Sequence, residues 1–455
     1  MQEKRIATIV AGLGGQALST ETTRLLKRNL LDAYGGICAS LQDVPLLEKF
    51  KRYAAVFPEA GGVGVWGIGS KAQLVHGTFL NTILGRRSDL VNTYLSPDHM
   101  GGSHPSDNLS LLLTLADWRG LTGAQLLRGL YVAAMLSCAF SDYYDPESGG
   151  FDHDAAAGVY TALITGHVLG LGHQELVEAQ RMAGAMGLNP NQAGEGVITD
   201  WKHCTYASCA MRGVNAAVMA QAGFQGPVDI YKGAAGLDRF LPHVDAFMDV
   251  PPDLGRIVFK LWQALVFCQT AIDTALELYP AFRKLDAASV SQVDVWAYHM
   301  AMVQAGTVDA ASPVSRAGRT HSLPYCVAAA LLHGVIDYDT FGDQAARSPE
   351  LTALMTKIVL HDDPAMTEAY PDKSPCRIVI KVAGASPLEA ALDYPKGDPR
   401  APLSDADIET KTAGYLSELV DPQTARRIIG RLWTIEEEQE LGWLLAPLQQ
   451  EVRHG

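Results

Sequence analysis

Apolar residues recur at intervals of three and four along most of the first 265 residues, a pattern that predicts α-helices. Gly-rich turns separate these runs. The predicted helices are Thr20–Ala33, Asp107–Trp118, Gly123–Ser137, Ala155–Leu169, Gln174–Met186, Ala207–Gln221 and, after several prolines, about Leu254 to Leu278. We therefore expect the first part of the chain to be almost entirely helical.

Strand-like alternation begins only after this helical part. Apolar and polar residues alternate in Val293–Ala297 and in Ile378–Val382, which predicts β-strands. Beyond a Pro-rich stretch at 394–402, Ser404 and Asp407 have the spacing of an N-cap and a first-turn acid, and the pattern is helical again to about Gln449. The sequence therefore predicts a mostly α protein in which an α+β domain (269–397) is inserted between helical segments (1–268 and 398–455).

Composition and charge limit the classes of partner. Of the 455 residues, 48% are hydrophobic and only 19% are charged, as in a compact globular protein of two or three domains. The formal net charge is −14, and no basic run interrupts it, so we expect no binding to nucleic acid or to an anionic membrane surface. A small anionic ligand would need a local group of cations.

The cysteines and the N-terminus predict a reduced, cytoplasmic protein. The seven cysteines are scattered, mostly in apolar runs, and form no CxxC pair, so we expect buried thiols and no metal–sulfur cofactor. The N-terminal segment has no convincing signal-peptide cleavage site. The longest uncharged stretch, Ala155–Gln174, contains glycines and two histidines and predicts a buried helix in preference to a membrane span.

A glycine motif near the start has little support as a nucleotide site. Gly12–Ala17 fits G-x-G-x-x-A, but the dinucleotide fingerprint requires a βαβ unit, whereas helical patterns follow here. We therefore predict a plain N-terminal loop.

Two histidines, His104 and His153, each follow a pair of glycines by two or three residues and precede a predicted helix. Pro105 suits the first position of a helix, which would place His104 at the N-cap, and His153 precedes the Ala-rich helix. A histidine at the positive end of a helix dipole tends to stay neutral and can act as a base. The alternative is that both lie in exposed capping loops, and the residues alone leave the two interpretations equal.

Several cations stand in unusual surroundings. Lys202 adjoins a tryptophan, and Lys260 is the one charged residue between Arg256 and Asp273, so its ammonium group needs an anion or a water-filled cleft. Arg316, Arg319 and His321 cluster before Ser322-Leu323-Pro324-Tyr325. An acidic protein would need such cations to bind an anionic substrate, although separate surface charges would give the same pattern.

Six ordered motifs carry a resemblance that covers nearly the whole chain. They are Asn81–Leu95, His104-Pro105-Ser106-Asp107-Asn108, Phe151-Asp152-His153, Trp201-Lys202 with Phe259-Lys260, His321-Ser322-Leu323-Pro324-Tyr325 and Tyr394-Pro395-Lys396-Gly397-Asp398-Pro399-Arg400. Together they resemble the MmgE/PrpD family, whose members include 2-methylcitrate dehydratase, cis-aconitate decarboxylase and iminodisuccinate epimerase. The resemblance implies a large all-helical domain built from both chain ends, an inserted α+β lid, a catalytic cleft between them and a homodimer.

The resemblance also implies the site and its chemistry. The expected reaction is a proton transfer beside a carboxylate on a small di- or tricarboxylate, without cofactor or metal, with His104 or His153 as the base, Asp89 orienting its neighbour, and Tyr325 donating a proton from the lid. The implied catalytic residues are Asp89, His104, His153, Lys202, Lys260 and Tyr325, and the implied substrate-binding residues are Arg86, Thr93, Arg316 and His321. Lys202, Lys260 and Arg316 would stabilise the developing charge.

Two departures from the family pattern bear on the substrate. Asn92 stands where the family commonly has Asp, and residues 264–269 lack the Glu and His of the family's P-A-E-F-H-x-Q. A hydro-lyase of the 2-methylcitrate type is nonetheless the first interpretation, since the motifs are most similar to that branch. A decarboxylase, an epimerase and a non-catalytic binding protein on the same fold remain alternatives.

Overall fold

The protein is mostly helical, with 57% of residues in helices and 10% in strands. The structure is a computed structural model, and it describes residues 2–97, 102–244, 247–307 and 311–452. The helices are α1 (Gln2–Gly15), α2 (Thr20–Ser40), α3 (Val44–Ala54), α4 (Leu74–Arg87), α5 (Asp107–Arg119), α6 (Gly123–Tyr143), α7 (Ala157–Leu169), α8 (His173–Ala185), α9 (Thr205–Gln221), α10 (Gln269–Phe282), α11 (His299–Ala305), α12 (Arg316–Thr320), α13 (Leu323–His333), α14 (Asp343–Ala346), α15 (Pro349–Met355), α16 (Pro364–Ala369), α17 (Asp405–Leu416), α18 (Pro422–Leu432) and α19 (Gly442–Gln449). The strands are β1 (Pro58–Val65), β2 (Ser70–Ala72), β3 (Tyr94–Leu95), β4 (Gly102–Ser103), β5 (Val290–Ala297), β6 (Ile358–Asp362), β7 (Cys376–Val382) and β8 (Leu388–Leu392).

The chain divides into two compact units. The larger unit contains residues 1–193, 203–257 and 404–455, and the smaller unit contains residues 194–202 and 258–403. The larger unit therefore draws on both ends of the chain. Lys202 and Lys260, which the sequence analysis placed in the helical segment 1–268, group with the smaller unit.

The core of the larger unit is built around α7, which packs against α6, α8 and α9. Its C-terminal helices return to the N-terminal ones, because the Thr412 hydroxyl of α17 donates to the carbonyl of Leu31 in α2 at 3.0 Å. The predicted start of α17 is confirmed: the Ser404 side chain accepts from the Asp407 N–H, and the Asp407 carboxylate accepts from the Ser404 N–H. The helix α6 is long and apolar enough to cross a membrane, but 83% of its most apolar window is buried inside the protein, as in a core helix.

Two parts of the larger unit differ from the prediction. Gly12–Gly15 ends α1 and is not a loop, because Ile6, Val10 and Leu13 bury one face of that helix and outweigh the helix cost of glycine. The sequence analysis also missed the antiparallel pairs β1–β2 and β3–β4, because β2, β3 and β4 span only two or three residues and the glycines of β1 interrupt any alternation of apolar and polar residues.

The smaller unit is a four-stranded sheet with helices on one face. The strand order is β6-β5-β7-β8, with β5 and β6 parallel and the other pairs antiparallel. Val293, Val295, Ile378 and Ile380 project from one face into a core with residues of α10 and α13. The two strands expected from alternation are thus confirmed.

The predicted helix from about Leu254 to Leu278 is wrong in its first half. Helix α10 begins only at Gln269, and residues 259–265 form no helix or strand. The Gln269 side chain holds this stretch in an irregular path, since its amide donates to the carbonyls of Trp262 and Ala264 at 3.0 and 2.9 Å and its oxygen accepts from the Trp262 N–H. Tertiary contacts override helix periodicity here.

Candidate active site

His104 lies in the larger unit, between β4 and α5, and is partly buried. The predicted start of the helix at Asp107 is confirmed, but the placement of Pro105 at the first helical position and of His104 at the N-cap is wrong, because Ser106 is the N-cap. The cause is a tight turn before the helix, in which the Asp107 N–H donates to the His104 carbonyl at 3.0 Å and the Asn108 N–H donates to that of Pro105 at 3.4 Å. His104 therefore belongs to this turn and not to the N-cap.

Hydrogen bonding defines the protonation pattern of the His104 ring. Its Nδ1 lies 2.8 Å from the Asn92 carbonyl oxygen, and the Thr93 hydroxyl is 3.3 Å from the same nitrogen. Because a carbonyl only accepts, Nδ1 must carry a proton, and in the neutral ring Nε2 is then the basic nitrogen. Two residues from the predicted site, Thr93 and His104, are thus in contact.

The His153 ring packs against the His104 ring. The ring centroids are 5.1 Å apart and the rings are perpendicular. His153 precedes the Ala-rich helix as predicted, but α7 begins at Ala157, two residues later than expected, so His153 lies in a turn before it. The Asp152 carboxylate accepts from the Asp154 N–H at 3.1 Å and extends this turn ahead of the helix. The structure brings the two predicted histidines together.

Arg86, at the end of α4, connects His153 to buried carboxylates. Its guanidinium donates to Asp154 at 2.5 Å and to Asp107 at 2.7 Å, and a third contact of 3.1 Å reaches His153 Nε2. Burial by itself would lower the pKa of Arg86, but the charges of Asp107, Asp154 and Asp152 outweigh it and raise that pKa. The cation is therefore permanent and is held by protein anions, so the predicted substrate-binding role of Arg86 remains only a prediction.

The contact with Arg86 also fixes the His153 ring. An arginine can only donate, so Nε2 of His153 accepts and the ring proton lies on Nδ1, which is 3.3 Å from Asp152 Oδ1. The basic nitrogen of His153, Nε2, thus contacts a guanidinium. The basic nitrogen of His104 is its Nε2, because the bond to the Asn92 carbonyl uses Nδ1.

Asp152, His153 and Asp154 have the donor types of a metal site. One potential ligand atom from each lies within 4.8 Å of the others. His153 Nε2 and Asp154 Oδ2 already accept from Arg86, so a metal ion would bind through these two atoms only by displacing the guanidinium.

Asp89 is buried and stands on an unusual backbone. It is 6% exposed and has a φ of +58°, and its N–H donates to the Arg86 carbonyl at 3.0 Å. Asp tolerates the left-handed region better than most residues, yet such a conformation costs energy and is found often at functional sites. This turn connects α4, which carries Arg86, to the segment that carries Asn92 and Thr93.

Asn92 fits its place as an amide. Its oxygen accepts from the Ser106 N–H at 2.9 Å, and its NH₂ group donates to the Asn29 side-chain oxygen at 3.1 Å, while its own N–H donates to the Ser106 hydroxyl. The residue is fully buried. The departure from the family's Asp thus coincides with a partner, Asn29, that accepts a hydrogen bond.

The predicted cations Lys202, Lys260 and Arg316 belong to the smaller unit. Lys260 is 1% exposed, and Lys202 is partly buried in a short 3₁₀ turn. Arg316 donates to the Tyr338 carbonyl at 2.7 Å and stacks on the Tyr338 ring at 3.4 Å from its centroid. Its guanidinium is thereby held in one orientation.

His321 lines a cavity of about 130 Å³ within the smaller unit. Residues 194–198 also line this cavity. The ring Nδ1 of His321 lies 2.9 Å from the Ala317 carbonyl, so it donates, and Nε2 is the basic nitrogen of the neutral ring. The smaller unit thus has a histidine in the same protonation pattern as His104.

Tyr325 has a structural environment. Its hydroxyl donates to the Thr340 carbonyl at 2.8 Å, its ring stacks on Phe341, and it is 2% exposed. Burial raises the pKa of Tyr325 to about 12. The Tyr325 proton is therefore already used in a buried hydrogen bond, and the proton-donor role of Tyr325 stays a prediction.

Sequence reasoning missed Asp107 and Asp154, the carboxylates that hold Arg86. Asp107 lies within the H-P-S-D-N motif, and Asp154 directly follows Phe151-Asp152-His153. The available signal was the rule that a buried arginine needs anionic partners, but nothing in the sequence indicated that Arg86 is buried.

The sequence matches a known family over most of its length. The MmgE/PrpD N-terminal domain matches residues 4–247, and the MmgE/PrpD C-terminal domain matches residues 262–435. The chain belongs to the MmgE/PrpD family. The resemblance drawn from the motifs is thereby confirmed.

Relatives within the MmgE/PrpD family carry two different names. A 2-methylcitrate dehydratase of Salmonella typhi is 26% identical, over 73% of this chain and 73% of its own. The 2-methylcitrate dehydratase of Escherichia coli (strain K12) is 26% identical, over 74% of each chain. A human cis-aconitate decarboxylase is 22% identical, over 97% of this chain and 93% of its own. These similarities are compatible with a family enzyme and leave its substrate open.

Proposed function

We propose that this chain is a hydro-lyase that dehydrates a 2-methylcitrate-like hydroxy acid, without a cofactor, by removing a proton from a carbon beside a carboxylate. The names of the 26%-identical relatives support this choice. The observation that carries the chemistry is the His104 ring, whose Nδ1 is committed to the Asn92 carbonyl and whose Nε2 is therefore the basic nitrogen.

His104 is the better of the two candidate bases. A general base must present an unprotonated nitrogen to the substrate. In His153 the unprotonated nitrogen is Nε2, which already accepts from Arg86. In His104 the unprotonated nitrogen is also Nε2, because Nδ1, on the other side of the ring, donates its proton to the Asn92 carbonyl. We assign proton removal to His104 and assign to His153 the part of a neutral neighbour held in place by Arg86.

The reaction requires positive charge as well as a base. Removal of a proton beside a carboxylate gives an enediolate-like dianion, which a fixed cation stabilises more than it stabilises the ground state. Lys260 is the first candidate, because it is an almost fully buried ammonium in an apolar stretch, and Lys202 and Arg316 are further candidates. In the overall step a C–H and a C–O bond break, a C=C bond forms, and one water molecule leaves.

A decarboxylase is the second candidate. The human cis-aconitate decarboxylase aligns with 97% of the chain, a larger share than the dehydratases reach. Decarboxylation would use the same cations, because it too passes through a carbanion-like state beside a carboxylate.

Proton NMR on a panel of acids in deuterated water separates these reactions. From 2-methylcitrate we expect the signal of a dehydrated product: a methyl singlet in place of the substrate's methyl doublet if the proton leaves the methyl-bearing carbon, or a vinyl proton if it leaves the other neighbouring carbon. Itaconate with carbon dioxide from cis-aconitate would replace the proposal with decarboxylation, and deuterium with inversion on iminodisuccinate would replace it with epimerisation. No product, exchange or binding with any acid of the panel would favour a non-catalytic protein.

A further inference from the structure

The Tyr394–Arg400 loop is a motif to which the proposed reaction assigns no part. It lies in the same unit as Lys260, whose ammonium the proposal uses. Lys260 stands on residues 259–265, which form no helix or strand, so no regular ladder of backbone hydrogen bonds fixes it. Contacts of the residues on either side of Lys260 therefore contribute to its position.

Gly397 contacts the residue directly before Lys260. The Phe259 N–H donates to the Gly397 carbonyl at 3.0 Å, and Gly397 has a φ of +106°. A Cβ atom at position 397 would lie 1.8 Å from the Phe259 carbonyl oxygen. Glycine is required at position 397 for two reasons: its positive φ, and the close approach of the two segments of the chain, which leaves no room for a Cβ atom.

A second contact fixes the residues after Lys260. The Asp273 carboxylate accepts from the Lys396 N–H and from the Trp262 indole N–H, each at 2.7 Å. Burial raises the pKa of Asp273, and these two hydrogen bonds oppose the rise. Adjacent loop residues, Lys396 and Gly397, therefore hold the Lys260 segment on both sides, one directly and one through Asp273.

The loop itself is rigid enough to hold another segment. Asp398 is 2% exposed and accepts from Arg400 Nε at 2.7 Å, from its Nη2 at 2.9 Å and from its backbone N–H at 2.9 Å. The Gly397 N–H donates to the Ala401 carbonyl at 2.8 Å, and the Arg400 guanidinium stacks on Tyr394. Asp398 and Arg400 thus bond to each other within the motif, and the Gly397 carbonyl accepts from Phe259.

We infer that the Tyr394–Arg400 loop is the positioning element for the Lys260 ammonium, with Gly397 as the central positioning residue. The inference rests on the proposed function, in which Lys260 stabilises the dianion. A lysine displaced by even about 1 Å would lose much of that effect, because catalysis depends steeply on alignment.

The test is a double-mutant cycle on kcat with Gly397→Ala and Lys260→Ala. We expect Lys260→Ala to lower kcat by about 30-fold or more, and Gly397→Ala to lower it by about 10- to 100-fold with little change in KM. In the Lys260→Ala background, Gly397→Ala should have almost no further effect on kcat.

Gly384→Ala is the matched control. Gly384 also has a positive φ, +73°, in the same unit, but nothing lies within 4 Å of a Cβ there. This variant should lower the Tm through the same backbone strain and keep the wild-type kcat. Equal losses of kcat in Gly384→Ala and Gly397→Ala would overturn the inference, since strain alone would then explain both.

Trp262→Phe keeps the test decisive if Gly397→Ala does not fold. It removes the indole N–H that Asp273 accepts and retains an aromatic ring. We expect a smaller loss of kcat that again disappears in the Lys260→Ala background. Losses that add fully in either double variant would overturn the positioning role, whereas normal turnover by Lys260→Ala alone would contradict the proposed role of Lys260 and this inference with it.

Discussion

At the scale of single residues, two hydrogen bonds distinguish two histidines that the sequence left equal. Nδ1 of His104 donates to a backbone carbonyl, and Nε2 of His153 accepts from an arginine. The ring nitrogen that can take a proton is thereby assigned by partners that are distant in the sequence, since Asn92 is 12 residues from His104 and Arg86 is 67 from His153. Spacing alone could not have made this assignment.

The first prediction concerns His104→Gln. We expect kcat to fall by about 100-fold or more, because the variant lacks a base, while the substrate-induced rise in Tm persists. In the wild type, kcat/KM should fall toward acid pH as one ionisation, since only the neutral ring can accept a proton. His153→Gln is the comparison and should retain more activity than His104→Gln. The reverse order would return the base assignment to His153.

The second prediction concerns Asn92→Asp, which restores the residue common in the family. Asp cannot donate to the Asn29 oxygen and would place a charge at a fully buried site. We expect the free energy of unfolding in urea to drop by about 1–3 kcal/mol. Asn215→Asp, on the exposed face of α9, is the control and should change it little. Equal stability of Asn92→Asp and the wild type would mean that Asn29 reorients to donate.

At the scale of elements, the sheet of the smaller unit has a buried carboxylate on the face opposite its core. Asp294 of β5 is 1% exposed and bonds to His361 of β6 and to Lys381 of β7 at 2.7 Å each. Burial would raise the pKa of Asp294, but hydrogen bonds from Lys381, His361 and Gln292 outweigh it and lower the pKa to about 2. The carboxylate thus links three strands.

The third prediction follows from the sign of this shift. The folded pKa of Asp294 lies below the usual value of about 3.9, so its stabilisation is present above about pH 4 and is lost as the pH falls toward 2. Asp294→Asn should therefore be less stable than the wild type near neutral pH, and this difference should shrink in acid. Urea unfolding between about pH 6 and about pH 3 measures it. The exposed Asp372→Asn should show no such difference, and a constant deficit for Asp294→Asn would contradict the linkage.

Helices with strong periodicity were predictable, and irregular segments were not. The helices predicted over 107–118, 123–137 and 155–169 begin within two residues of their expected starts, because burial and capping act along the local sequence. Residues 259–265 were expected to be helical, but Gln269 and Gly397 bond to that segment and hold it irregular. The turns before α5 and α7 were missed for a similar reason, since side chains and backbone groups close them in ways that periodicity does not register.

At the scale of the whole molecule, the net charge of −14 opposes the binding of a carboxylate. Family membership was readable from ordered motifs, because these motifs lie in fixed order along the chain. The ion pairs of Arg86 could not be predicted from the sequence, because they join residues from three separate segments. Because the net charge is negative, a carboxylate ligand must be bound by a few local cations against the average field of the protein.

The fourth prediction is a selective thermal shift. An acid that binds the folded protein should stabilise it, by about 2.7 kcal/mol at about 100 times its Kd. We expect 2-methylcitrate to raise the Tm more than acetate does at equal ionic strength, and Lys260→Ala to reduce the difference. An equal shift with both anions would indicate a salt effect on an acidic protein and not a binding site.

The central claim is that the chain dehydrates a hydroxy acid with His104 as the base. The most direct test is proton NMR of 2-methylcitrate in deuterated water with the wild type and with His104→Gln at equal concentration. The account predicts that the wild type converts the methyl doublet of the substrate into the methyl singlet or vinyl signal of a dehydrated product, and that this product is almost absent with His104→Gln. Product formed at an equal rate by both proteins would contradict the base assignment, and no dehydrated product with the wild type would contradict the proposed reaction.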